Sequence, residues 1–192
     1  MTEFQIHTPA TAPALSRDRL EAVGKAWGFV PKLHALLAES PLALEAYDTL
    51  FALVAAKSTF TPGELQVAYL AVSAQNECTY CVAGHTYLAR AAELPEAAIQ
   101  ALRAQTPIGD ARLEALRRFA VDIVAKRGFA GDAAVDAFLA AGFSRAQVLE
   151  LVAIVATKTI SNYANHLTHT PAESFMADPA FGWTAPRNRK SA

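Results

Sequence analysis

The sequence predicts an all-α protein, and three observations predict it. Proline and glycine separate segments whose apolar residues recur with the helical period of about 3.6 residues. No segment alternates between apolar and polar residues as a half-buried strand would. Hydrophobic residues make up 53% of the 192-residue chain and charged residues 18%. This core-rich composition fits one sizeable domain, or two small halves packed as one, and the apolar excess favours an oligomer.

The helices of the first half are predicted from their opening residues. A first helix occupies residues 16–28, and a proline in the first turn opens a short helix over residues 31–37. A serine followed by a proline then caps a long helix with a broad apolar face over residues 40–54. The segment Thr61-Pro62-Gly63-Glu64 combines a capping threonine, a proline at the first helical position and an acid at the third. The helix that it opens carries little polar surface, which predicts a central position in the fold.

The second half continues the same pattern. Asn76 is predicted to cap a helix that carries residues 78–92. Further helices are predicted at residues 95–104, 110–127, 132–140, 144–160 and 162–169. We expect a single domain over residues 1–177. Residues 178–192, with three basic residues among the last seven, are expected to form a loose C-terminal tail.

A shift of the sequence by 81 residues superposes two of its segments. Identical residues then coincide, namely Gln66 with Gln147, Leu70 with Leu151, and His85 with His166. Neither cysteine has a counterpart in the second segment. The agreement is either chance among alanine-rich helices or an internal duplication in which one copy kept the thiols. In the second case the repeat-like halves lie at about residues 61–92 and 142–173.

Charge and hydropathy exclude several classes of protein. The formal net charge is −1, and no basic stripe exists that could neutralise nucleic-acid phosphates. The most apolar run, residues 148–157, is interrupted by Glu150 and followed by Lys158, so it is too short for a membrane span. The N-terminus lacks the basic start and apolar stretch of a signal peptide. The expectation is a cytoplasmic protein without nucleic-acid or membrane partners.

The two cysteines, Cys78 and Cys81, are the strongest candidates for chemistry. A secreted disulfide framework would use more cysteines at wider spacing, and a close pair in a reducing compartment is more often catalytic, redox-active or metal-binding. If the helix starts near Asn76, Cys78, Cys81 and His85 share one face at positions i, i+3 and i+7. The helix N-terminus and the imidazole would then both favour a thiolate.

Two other interpretations of the pair remain open. The cysteines could be buried small hydrophobic residues without chemistry. They could also join His85 in a zinc site, with His166 or His169 as the fourth ligand, although structural zinc sites usually bring a second tight pair. We expect neither a metal nor a cofactor.

The segment Leu70–His85, LAVSAQNECTYCVAGH, resembles the core of the alkylhydroperoxidase D / carboxymuconolactone decarboxylase superfamily, and more closely its peroxidase-related members. Other matching segments extend the likeness to about residues 25–175, namely Gly28-Phe-Val-Pro31, Glu39-Ser-Pro41, Gly142, Asn162-Tyr-Ala-Asn-His166 and Thr170-Pro171. The resemblance implies an alkylhydroperoxidase-D-like all-α fold of duplicated helical units that forms homo-oligomers, commonly trimers or hexamers.

The resemblance also implies a reaction and a role for each thiol. Cys81 would attack the hydroperoxide substrate and become a sulfenic acid, and Cys78 would resolve it to a disulfide. His85 would be the general base and thiolate partner. A dithiol reductant, either a dihydrolipoyl or a thioredoxin-type protein, would then reduce the disulfide.

The sequence departs from the superfamily's pattern in the proton relay. The relay glutamate twelve residues before the first cysteine is replaced by Gln66, which cannot titrate. Gln66 either orients His85 or a water, or is an amide satisfied by helix packing. Glu64 is the nearest acid but lies about 200° further around the helix. His166 either approaches the site from the second repeat or makes structural hydrogen bonds.

The sequence therefore predicts a thiol-dependent peroxidase or disulfide oxidoreductase. The alternative is a non-enzymatic redox-sensing or scaffold oligomer whose disulfide changes its assembly. A zinc-binding protein or a decarboxylase is less favoured, because the decarboxylase members lack the cysteine pair.

Overall fold

The computed structural model describes residues 3–185, and this part of the chain is helical without a strand. Within these described residues nine α-helices follow one another, and their bounds are α1 Ala14–Trp27, α2 Lys32–Leu37, α3 Pro41–Lys57, α4 Pro62–Gln75, α5 Thr79–Ala91, α6 Glu96–Ala104, α7 Ala111–Ala125, α8 Asp132–Ala140 and α9 Arg145–Thr168. A short 3-10 helix, Ser174–Ala177, follows α9. The predicted all-α fold is confirmed.

Side-chain caps fix where the helices begin. Thr61 Oγ1 accepts a hydrogen bond from the Glu64 backbone N–H, and Glu64 Oε2 accepts one from the Thr61 backbone N–H. This reciprocal capping box confirms the predicted start of α4, and such a cap contributes about 1 kcal/mol. Ser144 and Gln147 form a second capping box at the start of α9, and the Ser40 hydroxyl caps α3 by accepting from the Ala43 backbone N–H. At the end of α1, Gly28 adopts φ +76°, a left-handed conformation that glycine adopts without strain.

Helix α4 is the centre of the fold, as its apolar composition predicts. Every side chain from residue 67 to residue 74 is buried, and α4 packs against α5, α6, α7 and α9. The long helix α9 also packs against α3 and α2, and a second apolar cluster joins α1, α2 and α3. Helices α4, α5 and α9 therefore meet in the interior, each presenting one face to the other two.

Two predicted helix boundaries near the cysteines are wrong. Asn76 does not cap the cysteine helix but ends α4, and Cys78 is the N-cap residue of α5. The chain turns at Glu77, whose φ is +55°. The helices predicted at residues 144–160 and 162–169 are one continuous helix, because Ser161 and Asn162 are buried against neighbouring helices and do not interrupt α9. Tertiary packing overrides their weak helix propensity.

The predicted loose tail is also wrong for the residues that the structure describes. Trp183 and Ala185 are buried, and Trp183 Nε1 donates to the Arg103 backbone carbonyl at 2.7 Å. Arg103 in turn donates to the carbonyls of Phe181 and Gly182. Residues 178–185 therefore pack onto α6, beyond the predicted domain end at residue 177. Residues 186–192 lie outside the described part of the chain.

The two segments of the proposed duplication have different local structures. The turn at residues 76–78 has no counterpart in α9, which is continuous. Gln147 belongs to the capping box of α9 through Ser144, whereas Gln66 contacts His85. The internal duplication stays a prediction. Among residues 3–185 no single helix has the length and apolarity of a membrane span, and only the pair α8–α9, bent by 113°, meets both conditions together.

Candidate active site

The turn between α4 and α5 places both cysteines at a helix N-terminus. Cys78 is the N-cap residue, with φ −81° and ψ 96°, and its backbone N–H donates to the Ser73 carbonyl at 2.9 Å. Cys81 is the third helical residue, inside the first turn of α5. The unpaired N–H groups and the positive end of the helix dipole favour an anion there. The two thiols are free and buried, 1% and 4% exposed.

Polar side chains of α9 face the two sulfurs. Asn165 Nδ2 donates to Cys81 Sγ at 3.2 Å and lies 3.5 Å from Cys78 Sγ, so one amide contacts both thiols. Ser161 Oγ lies 3.8 Å from Cys81 Sγ. Asn162 Oδ1 accepts from Asn76 Nδ2 at 3.0 Å, which ties α9 to the end of α4. A buried helix face is usually apolar. This face of α9 instead presents amide and hydroxyl groups to the two sulfurs.

The pKa values of the two thiols are shifted in opposite directions. Burial alone raises the pKa of Cys81, but the hydrogen bond from the Cys78 thiol and the positive charge of Lys158 outweigh burial and lower the pKa to about 5. The hydrogen bond to Cys81 and burial raise the pKa of Cys78 well above its ordinary value. These opposite shifts make Cys81 the more acidic thiol of the pair and Cys78 its hydrogen-bond donor.

His85 lies one turn beyond Cys81, but the hydrogen bonds of its ring go to other residues than the two cysteines. Its Nδ1–H donates to Gln66 Oε1 at 2.9 Å, and its Nε2 accepts from Lys158 Nζ at 2.9 Å. The ring stacks on Tyr69 with 4.7 Å between centroids. Burial and the charge of Lys158 lower the pKa of His85 well below its usual value, so the imidazole is neutral. The predicted direct His85–thiolate pairing is wrong, because Lys158 occupies the nitrogen that would have made it.

The other predicted site residues separate into two groups. Gln66 lies in the site, where its side-chain oxygen accepts the hydrogen bond that orients His85. Glu64 is not, because its carboxylate turns back to cap α4 and accepts from Arg112 Nε at 2.7 Å. His166 is exposed on α9 and stacks near Tyr163, so it does not reach the cysteines. Among residues 3–185, no group of three or more His, Cys, Asp or Glu side chains could hold a metal ion.

A cavity of about 550 Å³ opens next to Cys81. Cys81, His85 and Lys158 line it together. Its walls are mostly apolar and include seven aromatic side chains, namely Trp27, Phe29, Tyr47, Phe51, Tyr80, Tyr87 and Phe175. Cys78 is not among the lining residues and lies behind Cys81. A small organic molecule can therefore approach one sulfur of the pair and not the other.

Sequence reasoning missed Lys158, Ser161 and Asn165 as parts of this site. Their spacing is i, i+3 and i+7, which places them on one face of a helix. In the sequence pattern Lys158 marks only the end of an apolar run. A lysine and two small polar residues on the side of α9 that continues the buried positions Leu151 and Ile154 are the signal that could have identified them.

Comparisons with known proteins concern the family and the fold. The model of the carboxymuconolactone decarboxylase family matches residues 41–122, a range that contains both cysteines, Gln66 and His85. No curated protein sequence matches the chain.

Solved structures resemble the chain over nearly its whole length. A peroxidase-related protein from Ralstonia eutropha JMP134, described as an alkylhydroperoxidase AhpD core, aligns with a TM-score of 0.80 and 25% identity over 95% of this chain and 97% of that one. A peroxidase-related protein from Silicibacter sp. TM1040 aligns with a TM-score of 0.77 and 17% identity, over 93% and 94%. A cysteine-to-alanine variant of the debrominase Bmp8, in complex with 2,3,4-tribromopyrrole, aligns with a TM-score of 0.73 and 17% identity, over 91% and 93%.

Proposed function

Because this chain belongs to the alkylhydroperoxidase D / carboxymuconolactone decarboxylase superfamily and exposes one sulfur of a cysteine pair to a cavity, we propose that it is a thiol-dependent peroxidase or disulfide oxidoreductase that reduces organic hydroperoxides. The observation that carries the proposal is that the two thiols differ in accessibility and in pKa. Cys81 lines the cavity and has a pKa lowered to about 5, whereas Cys78 lies behind it with a raised pKa. A peroxidatic cysteine requires an accessible thiolate, and a resolving cysteine requires a position next to the sulfur that is oxidised.

The reaction proceeds in three steps. The Cys81 thiolate attacks the distal peroxide oxygen and becomes a sulfenic acid, while the alcohol leaves. The Cys78 thiol attacks this sulfur, which forms the disulfide and releases water. A dithiol protein of the dihydrolipoyl or thioredoxin type then reduces the disulfide by thiol exchange and becomes oxidised itself. One hydroperoxide and one dithiol are consumed per cycle.

The cavity favours an organic hydroperoxide over hydrogen peroxide. Its walls are mostly apolar, and its volume of about 550 Å³ accommodates a ring or a branched alkyl group. Burying an apolar body contributes about 25 cal/mol per Å² of surface removed from water, which hydrogen peroxide cannot supply. We expect cumene hydroperoxide to react with a lower KM than hydrogen peroxide does.

The test is peroxide consumption with a recycling dithiol. Cys81→Ser should abolish turnover, and Cys78→Ser should react once and retain a sulfenic acid that a dimedone probe traps on Cys81. Lys126→Met, at a half-exposed lysine paired with Asp122, is a control that should leave turnover unchanged. Single oxidation without recycling by any dithiol would favour the redox-sensing or scaffold alternative. Equal consumption of peroxide by the two cysteine variants in a single turnover would reject the assigned roles.

We also propose that the protein is a homo-oligomer. Helix α9 carries exposed apolar side chains along its outer face, including Leu149 and Leu167, which are 72% and 73% exposed, and Val152 and Tyr163, each 52% exposed. A monomer rarely exposes so long an apolar face. Sedimentation velocity should show an oligomer that Val152→Glu dissociates. A monomeric wild-type protein at micromolar concentration would refute this proposal.

A further inference from the structure

Lys158 is a buried cation without a carboxylate partner. Its side chain lies on α9 and the residue is 1% exposed, yet no carboxylate among residues 3–185 comes within 4.0 Å of Nζ. In the described part of the chain, its one hydrogen bond to a side chain goes to a neutral acceptor, His85 Nε2, at 2.9 Å. A buried ammonium without an anion is strongly destabilising, so an anion is expected nearby.

The groups that face this cluster leave one candidate anion. Besides Cys81 and His85, the ionisable side chains around it are Cys78, His34, Tyr47, Tyr69, Tyr80 and Glu173. Burial raises the pKa of all three tyrosines, so they are neutral. Glu173 is already engaged, because it accepts from the Tyr80 hydroxyl at 2.7 Å and from the Lys32 backbone N–H at 2.6 Å. Among residues 3–185 the Cys81 sulfur remains: Cys81 lines the same cavity as Lys158, and the charge of Lys158 lowers its pKa.

We propose that Lys158 is the counter-ion of the Cys81 thiolate in the reduced protein and the acid that protonates the oxygen leaving the hydroperoxide. The counter-ion role follows from the buried, carboxylate-free environment of Nζ. The acid role rests on the proposed peroxidase function and on the cavity that Lys158 and Cys81 line together. Lys158 takes over the proton delivery that Gln66 cannot perform, since an amide does not titrate.

The step balances without a further reactant. The Cys81 thiolate forms a bond to the distal oxygen of ROOH, and this oxygen keeps its hydrogen. The O–O bond breaks and its electron pair leaves on RO⁻, which takes a proton from the Lys158 ammonium and departs as ROH. The products are the Cys81 sulfenic acid and the Lys158 amine. Reduction of the later disulfide by a dithiol returns one proton to the amine and restores the ion pair.

His85 and Gln66 are positioning residues in this scheme. Gln66 fixes the tautomer of His85 by accepting from Nδ1–H, which leaves Nε2 as an acceptor for Lys158. The stacking of His85 on Tyr69 and the 5.7 Å approach of Lys158 Nζ to the same Tyr69 ring hold the pair in register. The flexible lysine side chain therefore has one preferred position.

The counter-ion role is tested by the pH dependence of Cys81 alkylation by iodoacetamide, read by mass spectrometry of the labelled peptide. The assay contains no peroxide, so its result is independent of the proposed peroxidase function. In the wild-type protein Cys81 should titrate well below an ordinary thiol, and an ordinary thiol pKa would overturn the ion pair without any variant. Lys158→Met should lower the alkylation rate at pH 6.5 about tenfold or more, because each unit of pKa changes the thiolate fraction tenfold.

Two controls accompany this measurement. Lys158→Arg keeps the positive charge and should retain most of the wild-type profile, and Lys126→Met should retain all of it. A wild-type profile in Lys158→Met would overturn the counter-ion role. The substitution replaces a buried charge by an apolar side chain of similar length, so folding is expected to persist, and circular dichroism checks it.

The acid role is tested by changing the leaving group. Single-turnover oxidation is measured with cumene hydroperoxide and with peracetic acid, at a pH where Cys81 is ionised in both the wild-type protein and Lys158→Met. An alkoxide needs a proton to leave, whereas acetate does not. Lys158→Met should therefore slow the reaction with cumene hydroperoxide at least about tenfold more than the reaction with peracetic acid. Equal slowing with both oxidants would overturn the acid role, and no reaction with either in the wild-type protein would instead overturn the proposed function.

Discussion

The hydrogen bond between the two thiols has a measurable effect on the acidity of Cys81. Cys78→Ala removes the donor that, after burial, is the largest influence on the pKa of Cys81. A hydrogen bond to a charged group contributes about 1.5–3 kcal/mol, and one pKa unit corresponds to about 1.4 kcal/mol. The pKa of Cys81 should therefore rise from about 5 by roughly one to two units.

The assay is well defined because the chain contains two cysteines, so a Cys78 variant keeps a single thiol. The thiolate absorbs at 240 nm, and its titration between pH 3 and pH 10 gives the pKa of Cys81 directly. At pH 6 the thiolate fraction should fall from about nine tenths to between about a half and a tenth.

Cys78→Ser is the matched variant, since a hydroxyl also donates to sulfur. Its pKa for Cys81 should lie between those of the wild-type protein and of Cys78→Ala. A titration of Cys78→Ala that coincides with the wild-type curve would refute the reasoning and would assign the low pKa to Lys158 and the polar residues of α9 alone.

Three further predictions concern the surroundings of the thiols. Gln66→Leu leaves the buried Nδ1–H of His85 without an acceptor and should cost about 1–3 kcal/mol in urea unfolding; an unchanged midpoint would contradict the contact at 2.9 Å. Glu64→Gln keeps a capping acceptor but loses the ion pair to the partly exposed Arg112, so it should cost about 1 kcal/mol or less, and a shifted alkylation profile would contradict its exclusion from the site. The lowered pKa of Cys81 stabilises the reduced protein fully above the unfolded-state value of about 8.5, and this contribution is lost as pH falls towards about 5. The melting temperature should therefore decline over that range in the reduced wild-type protein and decline less in Cys81→Ala.

Much of this fold could be predicted from residues that are close together in the sequence. The start of α4 follows from the capping box of Thr61 and Glu64, whose atoms lie within one turn of the chain. The central position of α4 follows from a segment too apolar to face water on any side. The pairing of Cys78 with Cys81 and the exclusion of a strand-based fold also follow from sequence periodicity. The start of α5 at Cys78 could not be predicted from the sequence, because Glu77 adopts a left-handed backbone conformation that is uncommon for glutamate.

The partners of each site residue were decided by tertiary structure alone. His85 lies one helical turn from Cys81 in the sequence pattern. Its Nε2 nevertheless accepts a hydrogen bond from Lys158, which is more than seventy positions away. Asn165 reaches both sulfurs because α9 runs unbroken past the start of α5. Spacing along a helix predicts which side chains share a face. It does not predict which distant helix supplies the charge opposite them. That charge determines which thiol ionises, since in a buried site the energy of an anion depends on the few groups in contact with it.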